Sequence, residues 1–167
     1  MVRPATTCQI VPLAAAPDAA PTLARWFVEA RPPYYGDDGP GAAAADLAAC
    51  ARTGSLPTAV VALDSAGRTL GTAALKRNSA GDAAFPGPWL AALLVGPGHR
   101  RRGIGSALVA AIEVEAVRQG FDAIYVSADE AGAIFERRGW LAVGEAPSLT
   151  GPVGVYRFEL ASSLERC

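Results

Sequence analysis

VGPGHRRRGIGSALVAAIEVEAVRQG, residues 95–120, decides the reading of this 167-residue chain. It joins the end of an apolar strand, a basic glycine-rich turn and a long amphipathic helix. Gly103 and Gly105 stand one residue apart, so no Cβ bars a bulky anion from the backbone and φ > 0 is open to the turn. A helix opening near Ile104 presents unpaired N–H groups and the positive end of its dipole at that same spot. His99, Arg100, Arg101 and Arg102 add donors, and Ser106 lies in the first helical turn. The segment reads as a cradle for a pyrophosphate.

Two other nucleotide readings fail on spacing. A Walker loop ends in Gly-Lys-Ser/Thr, whereas Gly105 is followed directly by Ser106. A dinucleotide fingerprint needs a third glycine after the first strand and an acid about 20 residues on, and this segment lies in mid-chain without that glycine. A nucleic-acid patch at Arg100–Arg102 conflicts with a chain of net charge −1 and pI near 5.8.

Outward from the cradle, Pro88–Val95 is an apolar strand ended by Gly96-Pro97. The helix after it sets Ile104, Leu108, Ile112 and Ala116 on a buried face, with Glu113 and Arg118 toward water and Gly120 as its C′ residue. Phe121–Ser127 is the next strand, and Asp129 caps a short helix reaching Arg138. Val155–Leu160 alternates as a half-buried strand with Tyr156, Phe158 and Leu160 on one face. Toward the N-terminus, Thr7–Val11 is a short first strand. A helix begins between Asp18 and Thr22, carries Leu23, Trp26, Phe27 and Ala30 on one face, and stops at Pro32-Pro33. A second helix covers about Ala42–Arg52, with Gly54 as its stop. Thr58–Asp64 and Thr69–Lys76 form a hairpin around Ser65-Ala66-Gly67-Arg68, and Arg77–Pro88 is a loop.

At this length residues 1–167 make one domain, without repeats or a linker. No apolar run reaches the roughly 18 residues of a membrane span, and the N-terminus lacks a signal-peptide core, so the expected location is the cytoplasm. Cys8, Cys50 and Cys167 are odd in number and far apart, which argues against a disulfide framework and a zinc site.

Arg100-x-x-Gly103-x-Gly105 matches the Arg/Gln-x-x-Gly-x-Gly/Ala motif of acyl-coenzyme A binding in the GNAT superfamily of N-acetyltransferases. Pro88–Val95 resembles that family's fourth strand. Phe135-x-x-x-Gly139-Trp140 resembles its Tyr-x-x-x-Gly-Phe segment, with phenylalanine in place of tyrosine. The similarity covers about residues 5–160 and follows the family order β-α-α-β-β-β-α-β-α-β-β. It implies an α/β fold of the α+β type: a mixed, mostly antiparallel sheet of six to seven strands, splayed between strands 4 and 5 and flanked by about four helices. It also implies acetyl-coenzyme A as acyl donor, with no metal. The pantetheine arm then pairs with backbone groups of Leu93, Leu94 and Val95, and the pyrophosphate meets Arg100, Arg101, Arg102, Gly103, Ile104, Gly105 and Ser106. A backbone N–H at Leu93 or Leu94 faces the thioester oxygen, a contact worth about 3 kcal/mol. Phe135 lies beside the coenzyme sulfur.

Transfer to an amine needs a neutral amine, and in many relatives an acid on the fourth strand removes the proton. Trp89–Val95 contains no carboxylate. By position the alternatives are Glu29, Asp37, Asp38, Asp82, Asp129 and Glu130. Phe135 lacks the hydroxyl that relatives offer to the departing thiolate. A thiol of pKa ~8.5 leaves adequately near neutrality, so that loss costs one to two powers of ten. Tyr34 and Tyr35, in Arg31-Pro32-Pro33-Tyr34-Tyr35-Gly36, are the catalytic or binding candidates from the loop that overhangs the acceptor side in relatives, with Tyr125 and Ser127 as other hydroxyl sources.

Deprotonating a lysine-like amine at pH 7 costs about 4.6 kcal/mol, but an α-amine of pKa ~8 only ~1.4 kcal/mol. The expected partner is therefore a peptide N-terminus, an amino acid or a small-molecule amine, acetylated directly in a ternary complex, with no nucleic acid or membrane partner. A homodimer is compatible with this reading. The competing reading is a degenerate acyl-coenzyme A sensor without turnover.

Overall fold

The computed structural model describes residues 7–79, 83–128 and 132–160. One seven-stranded sheet runs in the order β1-β2-β3-β4-β5-β7-β6, with β1 Gln9–Pro12, β2 Thr58–Leu63, β3 Thr69–Lys76, β4 Trp89–Val95, β5 Ala123–Ala128, β6 Leu141–Ala146 and β7 Val153–Glu159. All neighbours are antiparallel except β4 and β5. Five helices accompany them: α1 Ala20–Ala30, α2 Pro32–Tyr35, α3 Ala43–Cys50, α4 Ile104–Arg118 and α5 Gly132–Arg137.

α4 covers one face of the sheet. Its Ile104, Leu108, Ile112 and Ala116 are buried as the four-residue interval requires, together with Val109, against Leu70, Leu75, Leu90 and Ile124. The helix closes as a Schellman motif: Gly120 takes φ +89°, its N–H donates to Val117, and the Phe121 N–H donates to Ala116. The opposite face is covered over β2, β3 and the end of β4 by α1 and α3, which bury Leu23, Phe27, Leu47 and Cys50 against Val61, Ala74 and Leu94.

Four expectations need correction. Glu113 does not face water: its carboxylate takes Nε and Nη2 of Arg138 at 3.0 and 2.7 Å and the Trp140 indole N–H at 3.3 Å, tying α4 to the end of α5. Ala30 is exposed and Trp26 only half-buried, because α1 narrows its buried stripe to Leu23 and Phe27. Pro32-Pro33 do end α1, yet they also open α2, since proline suits the first helical turn, where no N–H is needed. β7 sets Tyr156, Phe158 and Leu160 toward the main core as expected, but its other face is not wholly open, since Val155 is fully covered with Trp89 and Ala146. Asp82, Asp129, Glu130 and Cys167 lie outside the described residues.

Candidate active site

β4 and β5 pair only through Trp89↔Tyr125 and Leu90↔Val126, so from Ala91 onward β4 is bound to β3 alone and the sheet gapes. Within that stretch Thr72 pairs with Leu94 and Ala74 with Ala91, leaving Ala73 opposite two residues, Ala92 and Leu93. This is a β-bulge, and Ala92 adopts φ +54° within it. Backbone direction follows from the antiparallel ladder. The Gly96 N–H donates to Leu70 at 2.8 Å, so Gly96 and Leu94 turn their backbone groups toward β3. Leu93 and Val95 therefore turn theirs into the gap. Of the three residues expected to meet a pantetheine arm, Leu94 is engaged with β3 and contributes its side chain to the core beneath α1 and α3.

The two carbonyls that face the gap are met by arginines. Arg31 Nη2 donates to Leu93 at 3.1 Å, and Arg100 Nε reaches Val95 at 3.4 Å.

Past Val95 the chain makes two tight reversals. His99 N–H donates to Gly96 at 3.0 Å around Pro97 and Gly98, whose φ of +82° suits the third position of a type II turn. Arg101 (φ +62°) and Gly103 (φ +78°) then alternate left-handed conformation with their neighbours. Such alternation curls successive N–H groups around a common concavity that attracts anions. No side chain caps the helix that follows. The N–H groups of Ile104, Gly105 and Ser106 thus extend the same donor set, since the first intrahelical bond is from Ala107 to Gly103. Arg100, Arg101 and Arg102 are exposed around it. A Cβ at Gly103 would meet no protein atom within 4 Å, so within the protein that glycine answers to φ alone; at Gly105 a Cβ would lie 3.4 Å from Ile134 of α5.

The loop is braced from α1. A Cβ on Gly96 would strike the Trp26 ring at 2.4 Å, and Trp26 in turn lies 6.3 Å from the His99 ring. Trp26, Glu29, Ala30, Leu94, Pro97 and Arg100 line a half-open pocket of about 130 Å³ beside this turn.

Phe135 is 1% exposed, edge-on to Trp140 at 5.0 Å and stacked on Tyr156 at 6.3 Å, so its ring is part of the core. Tyr34 is exposed and stands edge-on to Tyr35 at 4.7 Å. The Tyr35 hydroxyl donates to Asp46 Oδ2 at 2.7 Å, and burial, reinforced by that carboxylate, pushes the phenol well above its ordinary value. The Tyr35 proton is thus engaged by that carboxylate. Asp37 and Asp38 are exposed, and Glu29 lies 4.0 Å from Arg25 on the surface. Sequence reading passed over Asp46 and Arg31. Asp46 is the one carboxylate in the alanine-rich second helix, which was the available signal; Arg31 carried none.

Among the described residues no helix is long and apolar enough to cross a membrane, and no group of three or more His, Cys, Asp or Glu side chains could hold a metal ion. No curated protein sequence matches the chain significantly. Solved structures do. An aminoglycoside 6'-N-acetyltransferase complexed with coenzyme A is 19% identical, with TM-score 0.73, over 91% of this chain and 97% of that one. A GCN5-related N-acetyltransferase from Kribbella flavida is 22% identical, with TM-score 0.70, over the same shares. The Salmonella typhimurium yncA protein, solved with its cofactor acetyl-CoA, is 16% identical, with TM-score 0.67, over 92% and 94%. At these identities the likeness is one of fold. The model of the acetyltransferase (GNAT) family matches residues 21–140, well over half the chain and spanning α1, the bulged strand and the cradle. The chain belongs to the GNAT acetyltransferase family.

Proposed function

We propose that this protein transfers the acetyl group of acetyl-coenzyme A to a primary amine by direct attack in a ternary complex. The observation that carries the proposal is the continuity of the open edge of β4 with the nest of N–H groups at Arg101–Ser106. An extended amide arm ending in a pyrophosphate fits that path, because backbone groups of Leu93 and Val95 serve the arm and the nest serves the anion. Bound there, acetyl-coenzyme A supplies an activated acyl carbon on a thiol leaving group. The Leu93 N–H faces the gap beside the bulge and supplies the oxyanion contact, worth about 3 kcal/mol. Phe135 carries no proton for the thiolate, which leaves unassisted or takes its proton from the attacking nitrogen.

The acceptor class comprises peptide N-termini, amino acids and small-molecule amines, and the fold likeness to an aminoglycoside acetyltransferase adds amino sugars to the panel worth testing. Free thiol release followed against such a panel, with acetylated product identified by mass, tests the proposal. Stimulation by at least one amine is expected. Acetyl-coenzyme A binding without amine-stimulated release across the panel would convert the reading to that of a sensor, which Phe135 and the acid-free β4 would then explain.

Arg100 is exposed and weakly held, so its contribution to cofactor binding is chiefly coulombic. Arg100→Ala should weaken acetyl-coenzyme A about 10-fold at low salt and about 2-fold near ~0.5 M salt, as screening removes the attraction. Calorimetry at both salts reads this. An equal loss at both would assign Arg100 to packing.

A further inference from the structure

On the face of the sheet opposite α4, a cavity of about 10 Å³ separates α2 and α3 from the strands, lined among others by Tyr35, Asp46, Cys50, Thr72, Lys76 and Ala92. Phe27, Ala43, Leu47, Ala59 and Ala74 complete a largely apolar lining, and that volume is at the lower limit for a single water molecule. Its position matters because Ala92 is the bulge residue whose peptide link carries the Leu93 N–H. The other face of β4 is covered by α4, whose Leu108 and Ile112 share one buried cluster with Leu90. An acceptor reaching a thioester carbonyl at Leu93 therefore approaches from the α1–α3 side, past this cavity.

The polar groups lining the cavity differ in what they can do. The Thr72 hydroxyl is committed to the Val60 carbonyl at 2.8 Å. Tyr35 donates to Asp46 Oδ2. Burial pushes the Cys50 thiol up, which keeps its proton on, and Lys76 is a cation. Asp46 is the remaining group, and its Oδ1 takes no hydrogen bond among the described residues.

Resting on the reading of the chain as an amine acetyltransferase, we propose that Asp46 is the general base, drawing the acceptor's proton through a water held in this cavity between Asp46 and Ala92. An acceptor ammonium gives one proton to the water, which passes one to Oδ1. The neutral nitrogen lone pair forms the C–N bond to the acyl carbon as the C–S bond breaks with its electrons to sulfur. The nitrogen's second proton goes to the thiolate, and protonated Asp46 returns its proton to solvent. The groups facing Asp46 are Tyr35 from α2, Cys50 from its own helix and Lys76 from β3, with Arg31 and Tyr34 beyond Tyr35 and Arg52 beyond Cys50.

The test compares two nucleophiles with wild type and Asp46→Asn, which keeps an acceptor for Tyr35. An alkylamine is protonated at pH 7 and needs a base, whereas hydroxylamine is already neutral. Asp46→Asn should lower the alkylamine rate about 100-fold at pH 7, recovering as pH rises, and the hydroxylamine rate less than about 3-fold. Acetyl-coenzyme A affinity by calorimetry should not change. Equal losses on both nucleophiles, or none on either, overturn the assignment. Should Asp46→Asn not fold, Tyr35→Phe decides: losing a donor to the carboxylate should move the acid limb of the pH–rate profile to higher pH, and an unmoved limb overturns the assignment. A wild-type protein that releases no thiol with these two nucleophiles or with any amine of the panel above refutes the enzyme reading itself, whatever Asp46 does.

Discussion

Gly103→Val should weaken acetyl-coenzyme A binding about 100-fold, or about 2.7 kcal/mol. Valine is β-branched and resists φ +78°, so the segment either relaxes out of the left-handed conformation, dispersing the converging N–H groups, or holds it with a branched side chain where the anion must come. Each lost charge-assisted hydrogen bond is worth ~1.5–3 kcal/mol, so the loss of one or two accounts for the effect. Gly54 provides a matched control. It has φ +79°, and a Cβ there likewise meets nothing within 4 Å, but it follows α3 far along the chain from the cradle. Gly54→Val should carry the same backbone strain, of ~1–3 kcal/mol, and leave affinity alone. Calorimetric titration of both variants separates strain from recognition. Similar affinities for the two would sink the cradle assignment.

Removing the Glu113 carboxylate should cost stability heavily although the residue lies away from the site. Its side chain is 12% exposed and that of Arg138 29%, and the pair is bidentate. Glu113→Ala strands a largely covered guanidinium and leaves the indole N–H of Trp140, itself 2% exposed, without a partner. Breaking such a pair from one side costs about 3 kcal/mol, at the low end of the range for buried pairs because Arg138 keeps some contact with water. For a chain of this size the melting temperature should fall by about 5–10 °C. Glu113→Gln, which keeps an acceptor, should fall roughly half as far. A drop under about 2 °C for Glu113→Ala would show that solvent already satisfies Arg138.

Glu113 also shows where periodicity stops informing. A helical pattern separates the face toward the sheet from the rest, and it assigned Ile104, Leu108, Ile112 and Ala116 correctly. It is blind to a second neighbour on the flank of a helix. Arg138 and Trp140 come 25 and 27 residues later, and only the return of the chain through α5 brings them to Glu113. The left-handed turn at Arg101–Gly103 and the uncapped helix start after it were legible because glycines, basic residues and the start of a helix are contiguous. The bulge was not, since alanine has no affinity for φ +54° and Ala92 adopts it under the constraint of β3 pairing on both sides. Tyr35 could be named as a candidate from its loop. Its partner could not, because Asp46 sits in a helix whose alanines advertise only propensity.

A sheet that parts in the middle has two raw edges where a protein usually has none. Bare strand edges invite strands from other chains, and a cleft kept open for a ligand is the place where such invasion would do most harm. Arg31 and Arg100 sit on the two exposed carbonyls of that edge. A foreign strand would have to strip two guanidinium groups from those carbonyls and leave them beside its own backbone without recompense. A ligand carrying phosphates imposes no such penalty, because the arginine it displaces from Val95 is already next to its own counter-charge. The same two side chains thus guard the place where the sheet is held open, meeting an intruding backbone with guanidinium groups that it cannot satisfy.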